Sequence, residues 1–275
     1  MAESVWLNDR GLVRVAGEDS ATFLQGLLTN DVETLAPCEA RYAALLTPQG
    51  KILFDFLVVR LPEPSPAFAL DCAAAQAADL SRRLGFYKLR AKVTVADESA
   101  AYGVLAHSKD APAGAVRYAD PRAAGLGQRE IVARAAAESV GTAGRADYEA
   151  LRIRLGVPLG GIDFAYGDAF PHDVDMDLLQ GVDFEKGCYV GQEVVSRMRH
   201  RGGVRKRILR VELADAPPAP GAAVLDGELP VGTLGSASGR QGLALLRLDR
   251  VAEAEASGRT LTAEGVALRA LPLVP

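Results

Sequence analysis

The chain has 275 residues, of which 49% are hydrophobic and 24% are charged, so it is long enough to bury a sizeable core in one large or two ordinary domains. Its formal net charge of −4 argues against wholesale coating of nucleic acid but leaves room for a local basic patch. No apolar run approaches the roughly 20 residues that span a bilayer. The first residues have no basic stretch followed by an apolar one, so we expect neither secretion nor organelle import. These features predict a globular, monomeric protein of the cytosol.

The cysteines are few and widely separated. Cys38, Cys72 and Cys188 form no CxxC pair, and no histidine follows them at zinc-like spacing. An odd number of isolated thiols fits a reducing compartment.

The first part of the chain alternates between strand and helix patterns. Residues 5–15 predict one or two strands, and the stripe of Phe23, Leu24, Leu27 and Leu28 predicts a helix. Residues 42–46 and 51–60 flank Thr-Pro-Gln-Gly, a sequence that suits a type I turn and so predicts a β-hairpin.

Asp55 is the only polar residue between positions 52 and 59 of the second hairpin strand, both faces of which are otherwise apolar. A buried carboxylate without partners is unfavourable. Asp55 is therefore either bonded to other residues of the protein or placed where a ligand meets it.

Further elements are predicted towards the middle of the chain. Residues 67–70 predict a strand, after which Asp71 would cap an alanine-rich helix that runs to Gly85. Residues 88–95, 102–106 and 129–133 predict strands, and Asp147 would cap a helix that ends at Gly156. This order predicts an α+β domain with largely antiparallel sheets.

The sequence pattern changes after Gly202 and Gly203. Short strands at 207–213, 222–225, 230–236, 243–248 and 261–271 are separated by turns rich in proline and glycine. They predict a small antiparallel barrel, and the chain divides into domains of residues 1–202 and 203–275.

The octet KGCYVGQE at 186–193 precedes a segment in which Val194, Val195 and Met198 recur at helical spacing. Cys188 would then lie near a helix N-terminus and beside Lys186, where the dipole and the ammonium favour a thiolate. Such a thiol serves as a nucleophile, a redox group or a metal ligand. A small buried hydrophobic residue is the other interpretation.

A basic run follows the octet. It contains Arg197, Arg199, Arg201, Arg205, Lys206, Arg207 and Arg210. Guanidinium groups bind carboxylate and phosphate, so the run could receive the glutamate tail of a folate, a phosphate backbone or an acidic protein, or it could simply be solvated. No aromatic residue lies between the basic positions, which argues against a base-stacking nucleic-acid groove.

Three alternating acids precede the octet. Asp173, Asp175 and Asp177 lack the glycine and the glutamate of a calcium loop, and an acidic capping turn is the preferred interpretation. No metal site is predicted for the chain.

The octet resembles the signature of the YgfZ/GcvT-like folate-binding family, and so do Phe170-Pro171 and the N-terminal FLQG and TND at 23–26 and 29–31. The resemblance implies a T-protein-like fold, tetrahydrofolate as cofactor, and assistance in the assembly or repair of iron-sulfur proteins, with carrier or client proteins as partners. The residues it implies for the functional motif are Lys186, Cys188, Tyr189, Gln192 and Glu193.

The resemblance also implies folate contacts. Asp55 matches the position of the catalytic aspartate in the aminomethyltransferase of the glycine cleavage system. Arg154 stands where that enzyme has a pterin-binding glutamate, and a guanidinium only donates hydrogen bonds. A folate site at Arg154 would work differently, unless Arg154 only covers its helix. Arg197, Arg199 and Arg201 would bind the anionic tail.

Four functions follow from these features. The first is a folate-dependent accessory factor for iron-sulfur proteins rather than a turnover enzyme. The second is a one-carbon transferase that uses Asp55, against which Arg154 argues. The third is a binding module built on the basic run, and the fourth is thiol chemistry in which Cys38 or Cys72 resolves an oxidised Cys188.

Overall fold

The computed structural model describes residues 4–106 and 114–272. The strands of this part are β1 Val5–Trp6, β2 Arg10–Ala16, β3 Ala40–Leu46, β4 Ile52–Arg60, β5 Ala67–Ala73, β6 Thr94–Asp97, β7 Tyr102–Ala106, β8 Val116–Ala119, β9 Gln128–Ala133, β10 Lys206–Leu213, β11 Ala223–Asp226, β12 Leu229–Ser238, β13 Gln241–Arg247, β14 Leu261–Ala263 and β15 Val266–Ala270. The helices are α1 Ser20–Gln25, α2 Ala77–Tyr87, α3 Arg134–Val140, α4 Arg145–Arg154, α5 Gln192–Arg201 and α6 Leu248–Ala256.

Two antiparallel sheets form the first part of the molecule. The larger has the order β3-β4-β5-β2-β6, and the smaller has the order β1-β7-β9-β8. One face of the larger sheet buries Val13 and Phe68 against Leu24 of α1 and Leu80 of α2. The predicted hairpin is β3–β4, and its turn closes with a hydrogen bond from the Gly50 amide to the carbonyl of Thr47 at 2.9 Å.

The other face of the larger sheet belongs to the main core. Leu57 of this sheet, Ile131 of the smaller sheet, Val195 of α5 and Ile208 of β10 all lie in one continuous cluster of buried side chains. The cluster therefore ties both sheets, α5 and the first barrel strand together.

The remaining strands close into an antiparallel barrel with the order β10-β13-β12-β11-β14-β15. Its interior is filled by aliphatic side chains such as Val211, Val224 and Leu246. The predicted α+β class with largely antiparallel sheets and a C-terminal barrel is confirmed. Within the described residues, no helix is both long enough and apolar enough to cross a membrane.

Several expectations about elements are wrong. Asp147 does not cap α4 but lies in its first turn, since the helix already begins at Arg145. The single strand expected at 261–271 is two strands, β14 and β15, which pair with each other as a hairpin.

Asp71 does not cap a helix but lies fully buried inside β5, because its carboxylate pairs with arginines from distant strands. The strand expected at 88–95 begins only at Thr94. The sequence pattern also missed α6, a short helix between two barrel strands whose buried side contains only Val251 and Ala254.

Candidate functional site

The N-terminal TND residues bind the segment that leads into the octet. The Thr29 hydroxyl donates to the carbonyl of Gly181 at 2.7 Å, and the Asn30 amide donates to that of Gln180 at 2.6 Å. The Asp183 amide in turn donates to the carbonyl of Thr29 at 2.9 Å. Two stretches that are about 150 residues apart in sequence thus form one unit.

Lys186 anchors the octet to the turn that follows α1. Its ammonium donates to the carbonyls of Gln25, Leu28 and Asn30 at 2.9, 2.7 and 2.8 Å. Burial lowers the pKa of Lys186 to about 8. The ammonium is thus engaged by backbone carbonyls, which gives Lys186 a positioning role.

Gly191 fixes the other end of the loop. It has a φ of +82°, and a Cβ at this position would lie 2.6 Å from the carbonyl oxygen of Thr47 and 3.1 Å from the Cα of Gly50. Only glycine combines this backbone conformation with so close an approach. The loop is therefore packed directly against the turn of the β3–β4 hairpin.

Cys188 is presented between these two anchors. It is exposed, whereas Cys38 is half-buried and Cys72 is buried, and burial raises the pKa of Cys72 to about 12. The thiol was expected near a helix N-terminus, and it lies four positions before Gln192, where α5 begins. Tyr189, the next residue, is buried, which raises the pKa of its phenol.

The last two residues of the octet begin α5. Gln192 is half-buried, and its backbone amide donates to the carbonyl of Tyr189 at 3.3 Å. Glu193 is exposed and forms an ion pair with Arg197 at 2.5 Å, one helical turn later. Neither side chain is directed at the thiol by any described contact.

Asp55 lies on the second strand of the β3–β4 hairpin. It is buried in β4, where one carboxylate oxygen accepts from the Tyr42 hydroxyl at 2.9 Å and the other from the Tyr166 hydroxyl at 2.6 Å. Burial and the neighbouring carboxylate raise the pKa of both phenols. A carboxylate has about four acceptor positions, so Asp55 keeps capacity for a further donor.

Arg154 is exposed on α4, whereas Arg152, two positions earlier, is buried. Arg152 donates to the carbonyl of Val157 at 2.6 Å and to Ser236 Oγ at 2.7 Å, and pairs with Asp163 at 3.1 Å. Helical spacing offered a signal, because Arg152 lies four residues after the buried Tyr148. Arg154 thus lies on the surface, whereas Asp55 is buried in β4.

A buried ion network between the two sheets was not foreseen. Asp71 pairs with Arg10 at 2.6 Å and with Arg129 at 2.5 Å, and Asp120 pairs with Arg122 at 2.7 Å and with Arg129 at 3.0 Å. Burial alone would raise the pKa of Asp71, but the two arginines hold it below its usual value. All five side chains are at most 8% exposed.

The basic run splits into two parts. Arg207 binds Asp175 and Asp177, both at 2.8 Å, and Arg210 donates to the carbonyl of Arg154 at 3.2 Å. Two of the three acids in the turn predicted at 173–177 are thus bound by one arginine of the barrel, whereas Asp173 accepts from the backbone amide of Phe170 at 3.0 Å. The remaining basic residues face solvent: Arg197, Arg199, Arg205 and Lys206. Arg201 ends α5, and its side chain lies outside the described part of the structure.

An open cleft of about 960 Å³ lies beside the octet. Its walls include the segment around Cys38, the loop at Pro121 and residues 180, 182–185 and 199. Arg199 covers the ring of Phe184 with its guanidinium, 4.0 Å from the ring centroid. In the described ranges, no group of three or more histidine, cysteine or acidic side chains is arranged to hold a metal ion.

Two family models match separate parts of the chain. Residues 7–107 match the GCVT N-terminal domain, and residues 205–273 match the CAF17 C-terminal beta-barrel domain. The fold is similar to that of glycine cleavage system aminomethyltransferase T from Bartonella henselae, with a TM-score of 0.79 at 20% identity over 98% of this chain and 85% of that chain.

Curated relatives give a finer assignment. The human iron-sulfur cluster assembly factor IBA57 is 35% identical over 89% of this chain and 77% of its own length. The Mycosarcoma maydis homologue is 36% identical over 76% of this chain, which spans only 57% of that protein. Both are named as mitochondrial proteins, which overturns the expectation of a cytosolic location. The GcvT-like part of the predicted resemblance is confirmed, and YgfZ is a related but distinct branch. The chain belongs to the IBA57 family of GcvT-like proteins.

Proposed function

We propose that this protein assists the assembly or repair of iron-sulfur proteins by presenting the Cys188 thiol to a cluster-carrying or client protein. The observation that carries the proposal is the placement of this thiol. Cys188 is the only exposed cysteine of the three, and its loop is anchored by Lys186 on one side and Gly191 on the other. The assembly role of the curated relatives supports the same interpretation.

The chemistry of the thiol suits such a role. Iron-sulfur clusters are held by cysteine thiolates, and a solvent-exposed sulfur is accessible to a second protein. Because the loop is held by several backbone contacts, little conformational entropy is lost when a partner binds. The protein would act as an assistant that offers a cluster ligand at a fixed position.

Functional complementation tests this proposal. In a strain that lacks the protein, Cys188→Ala should fail to restore the activity of iron-sulfur enzymes. The control variant, Cys38→Ala, removes a half-buried thiol and should restore this activity. Both variants should accumulate to native levels, since neither thiol is fully buried. Full restoration by Cys188→Ala would refute a role for the thiol.

Tetrahydrofolate is proposed as a ligand on the basis of Asp55 alone. This buried carboxylate is ordered by two phenols and retains acceptor capacity for the N–H groups of a pterin. Anaerobic calorimetry should show saturable binding to the native protein and weaker binding to Asp55→Asn, with Arg154→Glu unchanged because residue 154 lies on the surface. Absence of binding to the native protein would refute the proposal and leave the role of Cys188 untouched.

A further inference from the structure

The end of α2 carries two large apolar side chains that are surrounded by water. The side chain of Phe86 is 72% exposed, and that of Leu89, in the turn after the helix, is 88% exposed. They are the two most exposed of the large hydrophobic side chains in the described part of the chain. Apolar surface left in water contributes nothing to folding. We call Phe86 and Leu89 the apolar knob.

The backbone holds the apolar knob on a fixed base. Leu84 is completely buried beneath it, and Tyr87 packs against the same core cluster. Lys88 keeps helical dihedral angles, with φ −58° and ψ −40°, so Phe86 and Leu89 are one helical turn apart. Leu89 then has a φ of +44°, a conformation that is strained for a residue with a large side chain. The strain and the exposure both oppose stability, which indicates a role in binding.

Basic residues flank the apolar knob. Residues 80–96 include five basic residues and no acidic one, although the net charge of the chain is −4. Two of the five are paired, Arg82 with Asp79, and Lys92 with Glu18 at 2.8 Å. The other three form no ion pair with any described residue, and we call them the basic flank: Arg83, Lys88 and Arg90.

We infer that the apolar knob and the basic flank dock this protein on an anionic membrane surface. Phe86 and Leu89 enter the boundary between the headgroups and the acyl chains, and the basic flank binds lipid phosphates. Proteins that lie on anionic bilayers combine buried apolar area with cationic side chains in this way. The docking site includes no residue of the octet or of the cleft beside it, so the inference goes beyond the proposed function and does not depend on it.

A membrane is favoured over a partner protein by the size and the pattern of this surface. A stable protein interface buries about 800 Å² of each partner around an apolar centre. The apolar knob consists of only two side chains, and its exposed neighbours Gly85 and Arg90 do not extend it. Two isolated apolar side chains need no complementary pocket to enter lipid, whereas a protein would have to supply one.

Flotation of the full chain with lipid vesicles tests the inference. The native protein should float with vesicles of equal amounts of phosphatidylcholine and phosphatidylglycerol, but not with phosphatidylcholine alone, and salt should weaken binding. Phe86→Ala with Leu89→Ala should bind the anionic vesicles at least about tenfold more weakly. Arg83→Gln with Arg90→Gln should show a loss of similar size and a smaller dependence on salt.

Each double variant has a matched control elsewhere on the surface. Ile162→Ala with Leu229→Ala removes two apolar side chains that are each 48% exposed. Arg205→Gln with Lys206→Gln removes two exposed positive charges. Both controls should float as the native protein does. All four substituted positions of the apolar knob and the basic flank are exposed, so these variants should keep the native midpoint of thermal denaturation.

Tryptophan fluorescence separates insertion from adhesion to the headgroups. The emission of Phe86→Trp should shift to shorter wavelength with the anionic vesicles and should be quenched by brominated acyl chains. The native protein, whose single tryptophan is Trp6, should show neither change. Absence of quenching in Phe86→Trp would contradict insertion of the apolar knob.

Three further results would overturn the inference. They are no flotation with the anionic vesicles, an equal loss in the control variants, and a native dimer that Phe86→Ala with Leu89→Ala dissociates in sedimentation velocity, which would assign the apolar knob to a second copy of the chain. Cys188→Ser should float as the native protein does. Failure of membrane docking is thereby distinguished from failure of the proposed role of Cys188.

Discussion

The molecule uses charge in two opposite ways. Between the sheets, Arg10, Asp71 and Arg129 are paired and almost completely withdrawn from water. Around the octet, Glu185 and Arg199 are exposed and have no ion-pair partner among the described residues. Removing one member of a buried pair leaves an uncompensated charge, whereas an exposed charge is screened by water.

We expect the buried charges to determine the stability of the fold and the exposed charges to determine the binding of a partner. The buried network joins the two sheets and contributes to the specificity of their packing, so we expect its disruption to be read as unfolding. The exposed charges and Cys188 contribute little to folding and remain available to a partner. Lys186 shares features of both regions: its side chain is half-buried, and it holds in place the loop that presents Cys188.

The largest effect is expected from Asp71→Ala. The substitution leaves Arg10 and Arg129 buried with an unbalanced charge, which should lower the free energy of unfolding by about 3–5 kcal/mol. Denaturation in urea measures it. The matched control is Asp79→Ala, because Asp79 is exposed on α2 and forms an exposed ion pair with Arg82. A loss at Asp71 no greater than at Asp79 would contradict the contrast.

A smaller effect is expected from Lys186→Met. The variant keeps the apolar stem but removes the donor to three carbonyls, which should lower the free energy of unfolding by about 1.5–3 kcal/mol. It should also reduce complementation, because the loop that presents Cys188 loses its anchor. Lys92→Met, at a lysine whose side chain is 75% exposed, is the control and should be silent in both assays. Native stability of Lys186→Met would show that the anchor is dispensable.

The stability that Asp31 contributes to the fold should depend on pH. Burial would raise the pKa of this carboxyl, but hydrogen bonds from Thr34, Gln25 and Arg41 lower it to about 2, below the ordinary value of 3.8. A lowered pKa contributes stability above pH 4 that is lost as the pH falls towards 2.

The contribution of Asp31 should be about 1–2 kcal/mol. Asp31→Asn should therefore be less stable than the native protein at pH 6, and the difference should shrink as the pH approaches 2. Urea denaturation across this range checks it. A difference that does not change with pH would show that the Asp31 carboxylate is not stabilised by its neighbours.

The smallest effect is expected at Glu193 and Arg197, an exposed pair one helical turn apart. Replacing either residue by alanine should change the free energy of unfolding by no more than about 0.5 kcal/mol. Thermal denaturation checks it. A loss of several times this size would mean that the surface of α5 contributes to stability. It would contradict the distinction between the buried network and the exposed charges.

Local patterns in the sequence predicted the hairpin, α5 and the barrel strands, because each is specified by the spacing of apolar residues and by turn residues within a short window. They did not predict the network around Asp71, since its partners Arg10 and Arg129 lie 61 and 58 residues away. Asp71 was predicted to cap a helix because an acidic residue before an alanine-rich segment is typical of a helix N-terminus. A buried acidic residue near the end of a strand, followed by the same segment, has an identical local pattern.

The candidate site shows the same division. The octet itself identified Cys188, but the role of Lys186 depends on carbonyls from the turn after α1, which no local pattern reveals. Arg154 was selected over Arg152 by comparison with another enzyme, whereas the helical spacing from Tyr148 indicates Arg152 as the buried residue. The division into residues 1–202 and 203–275 stays a prediction.

The proposed role of Cys188 requires that this thiol meets a partner protein. The decisive measurement is the rate at which iodoacetamide alkylates each cysteine, read by mass spectrometry, with and without a reconstituted iron-sulfur carrier protein. We predict that the carrier strongly slows the alkylation of Cys188, whereas Cys72, which is buried, stays unreactive in both conditions. Alkylation of Cys188 at the same rate in both conditions would contradict the proposed role of this thiol.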